Sequence, residues 1–301
     1  MRLTFFFLFL TLISCSSVDY TIFVPGDAPE FKKNYKPEVV LVLGGGGAKG
    51  LAHLGVLEIF ERNNIKIDMI VGSSAGAIIG AFYCDNPSIK HIKDIFINLK
   101  KEDLIEDVEF NYYTFPLMIT GPVSGKKMRY FLANNLLAEK FSDLKIPLTV
   151  VSTDMQTAKT VAINSGHLVP AIHASSALPM VFKPVYLYGM TLSDGAIASP
   201  VPVSIAKQFS PKIIIAVNIS QKPSDKKLSN NFDVVSRALD ITYYQFTLRD
   251  LKGADVVINP EIKDMGILDD HRNDELYEAG VAAAQKAMPR IKKLISERMA
   301  N

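Results

Sequence analysis

The 301-residue chain is poor in cysteine, with only Cys15 and Cys84, and it carries just five histidines. So few cysteines exclude a disulfide framework, and no His/Cys cluster at metal-ligand spacing or calcium loop occurs, which predicts metal-independent chemistry without a cofactor. Charge of one sign is also scarce. Thirty-three Lys and Arg stand against 31 Asp and Glu, so the net charge of +2 leaves no electrostatic footprint for nucleic acid. Apolar residues make up 48% of the chain, which excludes compositional disorder. Leu3 to Ile13 is apolar but too short to span a bilayer. There is no internal repeat or low-complexity tract, and the length after residue 37 suits one large α/β domain.

What is there begins with an address. Arg2, the apolar run and the small residues after it read as a leader over residues 1–14. Leu12-Ile13-Ser14-Cys15 resembles the lipobox of bacterial lipoproteins, which implies cleavage before Cys15 and acylation of its thiol. That resemblance predicts a lipid-anchored protein of the bacterial cell envelope, at the outer membrane, since Ser16 is not the aspartate tied to inner-membrane retention. Residues 15–37, with Pro25, Gly26, Pro29 and Pro37, read as a tether to a folded body over 38–301. Cys84 sits in the apolar stretch Ala81-Phe82-Tyr83 and reads as a buried small hydrophobe.

Val39 to Leu43 is a β-branched and leucine run of strand length, and Leu51 to Phe60 has the density of a buried helix. Ile67 to Val71 and Ala75 to Phe82 repeat the pair. Strands alternating with helices predict an α/β fold with a mostly parallel central sheet and helices on both faces. Further strands are expected at 147–152, 160–163, 212–218 and 255–258. Ser88 to Lys100 carries Ile89, Ile92, Ile95, Phe96 and Leu99 at helical spacing. Long helices are expected over 233–251 and 270–299, the second kinked or split at Pro289.

Each of the first two strands ends in a tight turn. Gly72-Ser73-Ser74-Ala75-Gly76 is a G-x-S-x-G turn, whose small flanking residues let the central serine hydroxyl protrude where strand becomes helix. Gly44 to Gly50 supplies backbone N–H groups at a helix start, where developing negative charge is received. A nucleophile beside an oxyanion receiver points to acyl transfer. The glycine loop also reads Gly45-x-Gly47-x-x-Gly50, a dinucleotide fingerprint, but Asp68 stands at the beginning of the second strand rather than at its far end, where a ribose would need it. A Walker loop fails because Leu51 and Ala52 stand where Lys and Ser/Thr are required.

GGGGAKG, GSSAG, the segment Ala174 to Pro184 and Ser193-Asp194-Gly195-Ala196 occur in the order found in patatin-like phospholipases, and the chain resembles that family over roughly Val39 to Asn218. The resemblance implies a patatin-like architecture and a lipid ester substrate. It makes Ser74 the nucleophile, Asp194 its partner in a two-residue dyad, and the amides of Gly45, Gly46 and Gly47 the oxyanion hole. The dyad is chemically sufficient, since a carboxylate in a dry site can take a serine proton directly. Asp before Gly more commonly bonds its own backbone in a turn, so Asp194 has a structural reading beside the catalytic one.

Rival residues have structural readings too. His53 lies one turn into the helix after the glycine loop and reads as a packed helix residue, and His173 is the next candidate for a triad. His91 and His271 read as solvated, and His167 as part of a polar turn. Ser73 is off the centre of the turn motif, and Asp154 reads as a cap or turn residue. Asn111 to Pro122, rich in Tyr, Phe, Leu and Met, reads as a lid, an acyl-chain entry surface or a covered core loop. The expectation is a serine acyl hydrolase of phospholipase or lysophospholipase type, working through an acyl-enzyme and anchored to a membrane through Cys15. The alternatives are a catalytically silent envelope lipoprotein with a binding role and a dinucleotide-binding oxidoreductase. Head group, oligomeric state and any activating partner are not encoded legibly.

Overall fold

The computed structural model describes residues 21–22, 30–105, 123–223, 225, 227–262, 265–266, 269 and 271–299. The expected leader, Cys15 and the aromatic stretch Asn111 to Pro122 lie outside the described residues. Nine strands form one sheet: β1 Thr21–Ile22, β2 Val39–Leu43, β3 Met69–Ser73, β4 Leu148–Asp154, β5 Thr160–Ile163, β6 Val185–Leu187, β7 Met190–Asp194, β8 Ile213–Val217 and β9 Val256–Ile258. The α-helices are α1 Leu51–Arg62, α2 Ala75–Asp85, α3 Ile89–Phe96, α4 Lys101–Leu104, α5 Lys126–Asn135, α6 Leu168–Ser175, α7 Val203–Ala206, α8 Asn231–Asp250 and α9 Asn273–Met299.

The sheet centre follows from the sequence of β2. All five of its residues are buried, and their two-residue period sends Val39, Leu41 and Leu43 into one core and Val40 and Val42 into another. The first core is covered by helices, among them α1, α2 and α9. The second is covered by α7 and Phe209, with Phe31 and Tyr35 of the stretch before β2 packed against it. Residues 30–36 are therefore docked on the body, held also by the paired bonds between the Lys32 backbone and the Asn164 side-chain amide.

β9, β8, β2, β3 and β4 are parallel neighbours, and β5, β6 and β7 add antiparallel pairing at the other side. One register detail positions the site. β3 pairs with residues 148–151 of β4, β7 with 152–154, and β5 with 150–153, which overlaps both. A strand has two edges, so β3 and β7 must share one of them, end to end. Ser73 faces Val151 and Asp194 faces Ser152, the next residue along.

One helical expectation is corrected. α3 ends at Phe96 rather than continuing to Lys100, because Asn273 at the start of α9 donates its side-chain amide to the Ile97 carbonyl at 3.0 Å and so takes over a helix-end acceptor. α9 runs through Pro289 without splitting. It crosses α1 at a glycine pair. A Cβ on Gly55 would lie 2.1 Å from the Tyr277 carbonyl oxygen, and one on Gly280 would lie 2.0 Å from that of Ala52. Backbone cannot swing aside as a side chain can, so Gly280→Ala is expected to cost about 3 kcal/mol, the upper part of the overpacking range. Differential scanning calorimetry would register this as a Tm lowered by roughly 6–12 °C.

Candidate active site

The shared edge of β4 brings two strand ends together. Ser74 follows β3 directly and holds φ 53° and ψ −121°, a left-handed conformation that turns the chain sharply into α2. A non-glycine residue in such a region costs about 1–3 kcal/mol, and surrounding bonds must over-determine it. They do: the Ser74 amide donates to Ser175 Oγ at 3.0 Å, and Ser175 Oγ in turn donates to the Val151 carbonyl at 2.6 Å. Ser175 thus ties the elbow to β4. Sequence reasoning assigned it no role, and its only signal was a serine in the Ala174 to Pro184 segment.

Asp194 closes β7 and is 2% exposed. Its Oδ2 accepts the Ser74 Oγ hydrogen at 2.6 Å, across 120 residues of chain. Its Oδ1 accepts the Ala196 amide at 2.8 Å, so one side chain makes both the turn contact and the contact to Ser74 that a dyad requires. The Asp194 amide donates to Ala177, and its carbonyl accepts Thr153 Oγ1. Burial raises the carboxyl pKa to about 6, against the opposing pull of the Ser74 and Ala196 hydrogen bonds. A carboxyl near 6 is ionised at neutral pH yet basic enough to take a proton.

The glycine loop lies against this pair. A Cβ on Gly45 would approach Ala196 Cβ to 2.8 Å and Ser74 Cβ to 3.2 Å, so only glycine fits there. The three-amide oxyanion hole needs correction, because the Gly45 amide donates to the Pro200 carbonyl at 2.9 Å and is spent. The Gly46 and Gly47 amides remain as candidate donors. Gly44 and Gly45 are held through their carbonyls as well. His53 Nε2 lies 2.8 Å from Gly44 O and must carry the hydrogen, while Tyr243 of α8 donates its hydroxyl to Gly45 O at 2.7 Å. Burial lowers the His53 pKa to about 4, so the ring is neutral, and it raises that of Tyr243, helped by Asp194 and Asp250. His53 is a loop-holding residue. Tyr243 was missed by sequence reasoning, since a tyrosine on a distant helix carries no motif.

The other candidates fall into structural roles. His173 is fully buried, its pKa lowered by burial to about 3, and its ring meets Phe182 edge-on. His91, His167 and His271 are exposed. Ser73 is buried, with its hydroxyl close to Gly195. Asp154 accepts from Thr157 Oγ1 and the Gln156 amide, as a turn aspartate does. Cys84 is a buried free thiol whose pKa burial pushes well up. Asp68 accepts the Val39 and Glu38 amides at the start of β2, away from the glycine loop at its end, which removes the ribose anchor from the dinucleotide reading. No cluster that could hold a metal ion occurs among the described residues.

Two hollows meet at Ser74 and Asp194. One, of about 160 Å³, has predominantly apolar walls that include Ile78, Ile79, Phe96, Leu99, Met128 and Phe182. The other, of about 810 Å³, is wider and more polar, with Lys49, Lys222 and Arg237 among its walls. An apolar chain and a polar group on either side of one carbonyl carbon would match this pairing.

The chain is similar to several known proteins. An NTE family protein of Mycobacterium tuberculosis is 30% identical over 184 residues, 61% of this chain and 49% of the relative. The patatin-like phospholipase domain-containing protein 7 of Rattus norvegicus is 29% identical over 203 residues, 66% of this chain and 15% of its own. The chain thus spans half or less of the length of these relatives. The structure of VipD from Legionella pneumophila superposes with a TM-score of 0.53 at 14% identity, covering 88% of this chain and 67% of that one, a likeness of fold. Residues 41–207 match the sequence model of the patatin-like phospholipases, and they contain the glycine loop, the Ser74 elbow and Asp194: the chain belongs to the patatin-like phospholipase family.

Proposed function

We propose that this protein is a lipid acyl hydrolase that cleaves carboxylic esters of phospholipids or lysophospholipids through a Ser74–Asp194 dyad. The observation that carries the reading is the 2.6 Å hydrogen bond from Ser74 Oγ to a buried carboxylate at the junction of an apolar and a polar hollow. Ser74 Oγ attacks the ester carbonyl carbon while its proton passes to Asp194 Oδ2. The oxyanion that forms is received by the Gly46 and Gly47 amides. Collapse breaks the bond to the alkoxy oxygen, which leaves with the proton from Asp194. Water then attacks the acyl-enzyme, again giving its proton to Asp194, and the fatty acid departs as Ser74 regains its hydrogen. Family membership supports the substrate class.

The same proposal includes a leader over 1–14, an acylated Cys15 and residence at the bacterial outer membrane. Attachment to a bilayer would hold the enzyme at high local substrate concentration. Incubating the purified full chain with detergent-dispersed diacyl phospholipid and lysophospholipid is expected to release free fatty acid, read by mass spectrometry. Both lipids recovered unchanged would contradict the hydrolase reading.

Tyr243 is assigned as a positioning residue, acting through the Gly45 carbonyl on the amides that follow it. Tyr243→Phe is expected to lower kcat on a soluble short-chain ester by about tenfold with KM little changed, less than the loss of a direct oxyanion donor. An equal rise in KM with unchanged kcat would show that the hydroxyl serves binding instead.

A further inference from the structure

Helix α8 turns several large apolar side chains away from the domain it lies on. Its twenty residues are mostly exposed, and Thr247 is the one fully buried position among those described. At 100° per residue, Asp233, Ser236, Arg237, Asp240, Tyr243, Thr247 and Asp250 fall on one side. That side faces inward: Asp233, Ser236, Arg237, Asp240 and Tyr243 line the wide hollow above Ser74, and Asp250 accepts Ser199 Oγ at 2.9 Å. The opposite side presents Val234, Val235, Ile241 and Leu248, which are 51%, 59%, 47% and 43% exposed, interleaved with the exposed Thr242, Gln245 and Arg249, while Leu239, 61% exposed, borders the hollow. A helix stabilised by its own domain buries its apolar face, whereas this one turns that face away.

The helix carries its own N-terminal cap. Asn230 caps it by accepting the Asp233 amide at 2.9 Å, and Asp233 reciprocally accepts the Ser229 amide. Its apolar side continues toward the mouth of the hollow, where Leu228 and Ile197 are also exposed. Basic residues flank it, Lys222 and Lys227 before the helix, Arg249 in its last turn and Lys252 after it, all exposed. An apolar face bounded by cations suits the boundary between acyl chains and phosphate head groups. No described helix is long and apolar enough to cross a membrane, so α8 would lie in the surface rather than span it.

From these observations, and resting on the lipid hydrolase reading above, we infer that the outer face of α8 docks onto an anionic bilayer surface and presents the wide hollow, and with it Ser74, to the lipid. The inner face supplies a direct link to the chemistry, since Tyr243 bonds the glycine loop from the same helix. Docking therefore opens onto the site rather than merely tethering the chain near it. This contact is separate from any lipid on Cys15.

The test uses the full chain carrying Cys15→Ser, so that no N-terminal lipid binds on its own account. Because the chain has no tryptophan, Val235→Trp makes a sole reporter on the outer face. Adding vesicles of phosphatidylethanolamine and phosphatidylglycerol is expected to shift its emission to the blue, and an unshifted spectrum would overturn the proposal whether or not the enzyme is active. The double variant Val235→Asp, Ile241→Asp is expected to keep the hydrolysis of a soluble short-chain ester within twofold while losing at least tenfold in vesicle flotation and vesicle hydrolysis. Wild-type flotation by this variant would overturn it. So would light scattering that finds a vesicle-free dimer which the double variant abolishes, because the face would then belong to a second copy.

Discussion

Ser74→Ala is expected to leave a folded chain whose kcat on any ester falls by about 10⁴- to 10⁶-fold, the scale seen when a serine hydrolase loses its nucleophile. The fold survives because the elbow is fixed by backbone, through the Ser74 amide on Ser175 Oγ, and alanine keeps that amide. What disappears is the hydroxyl bonded to Asp194 Oδ2. Circular dichroism unchanged from wild type, together with loss of fatty acid release, is the predicted pair of results. Residual activity within tenfold of wild type would move the nucleophile elsewhere.

Asp194→Asn is expected to abolish activity and to stabilise the protein at once. Asparagine keeps one acceptor oxygen for the Ala196 amide and turns its NH2 toward Ser74 Oγ, to which it can donate, but it cannot take a proton. The loss in kcat should be about 10⁴-fold, as for other residues that act as one unit with the nucleophile. The stability effect has a definite sign. Burial raises the folded carboxyl from its ordinary range near 4 to about 6, so the native state holds a proton that the unfolded chain has released. Stability contributed by this group is greatest below about pH 4 and falls as pH rises to about 6. Above that the ionised carboxylate costs about 3 kcal/mol, an order-of-magnitude figure, and a neutral asparagine in its place would not bear that cost. Thermal unfolding is therefore expected to place the Asp194→Asn variant above wild type at pH 8, with the gap closing toward pH 4. A variant less stable than wild type at pH 8 would mean that the carboxylate is structurally required.

The Ser74 elbow was legible in the sequence because its environment is local: Gly72, Ser74 and Gly76 specify a turn within five residues. The buried strands were legible for the same reason, as in Val39 to Leu43, where β-branched residues run without a polar break. The partner of Ser74 was legible only through family resemblance, since Asp194 lies 120 residues away and reaches it because β3 and β7 abut on one edge of β4. No periodicity encodes that register. The fate of the Gly45 amide was invisible for a similar reason, as it depends on where the Pro200 carbonyl lands. Ser175 and Tyr243 escaped because their work is done on backbone groups of other segments, at the Ser74 amide and the Gly45 carbonyl. The early end of α3 likewise depends on Asn273, far along the chain.

The proposed hydrolysis requires a proton to move from Ser74 Oγ to the Asp194 carboxylate, and the rate at which a fluorophosphonate labels Ser74 reports that transfer most directly. Measured by intact mass from pH 4 to 9, with the site confirmed by peptide mass, labelling of the wild type is predicted to rise with pH through a midpoint near 6. It should be nearly absent at every pH in Asp194→Asn. Labelling of that variant at the wild-type rate, or a wild-type rate flat across the range, would contradict the dyad.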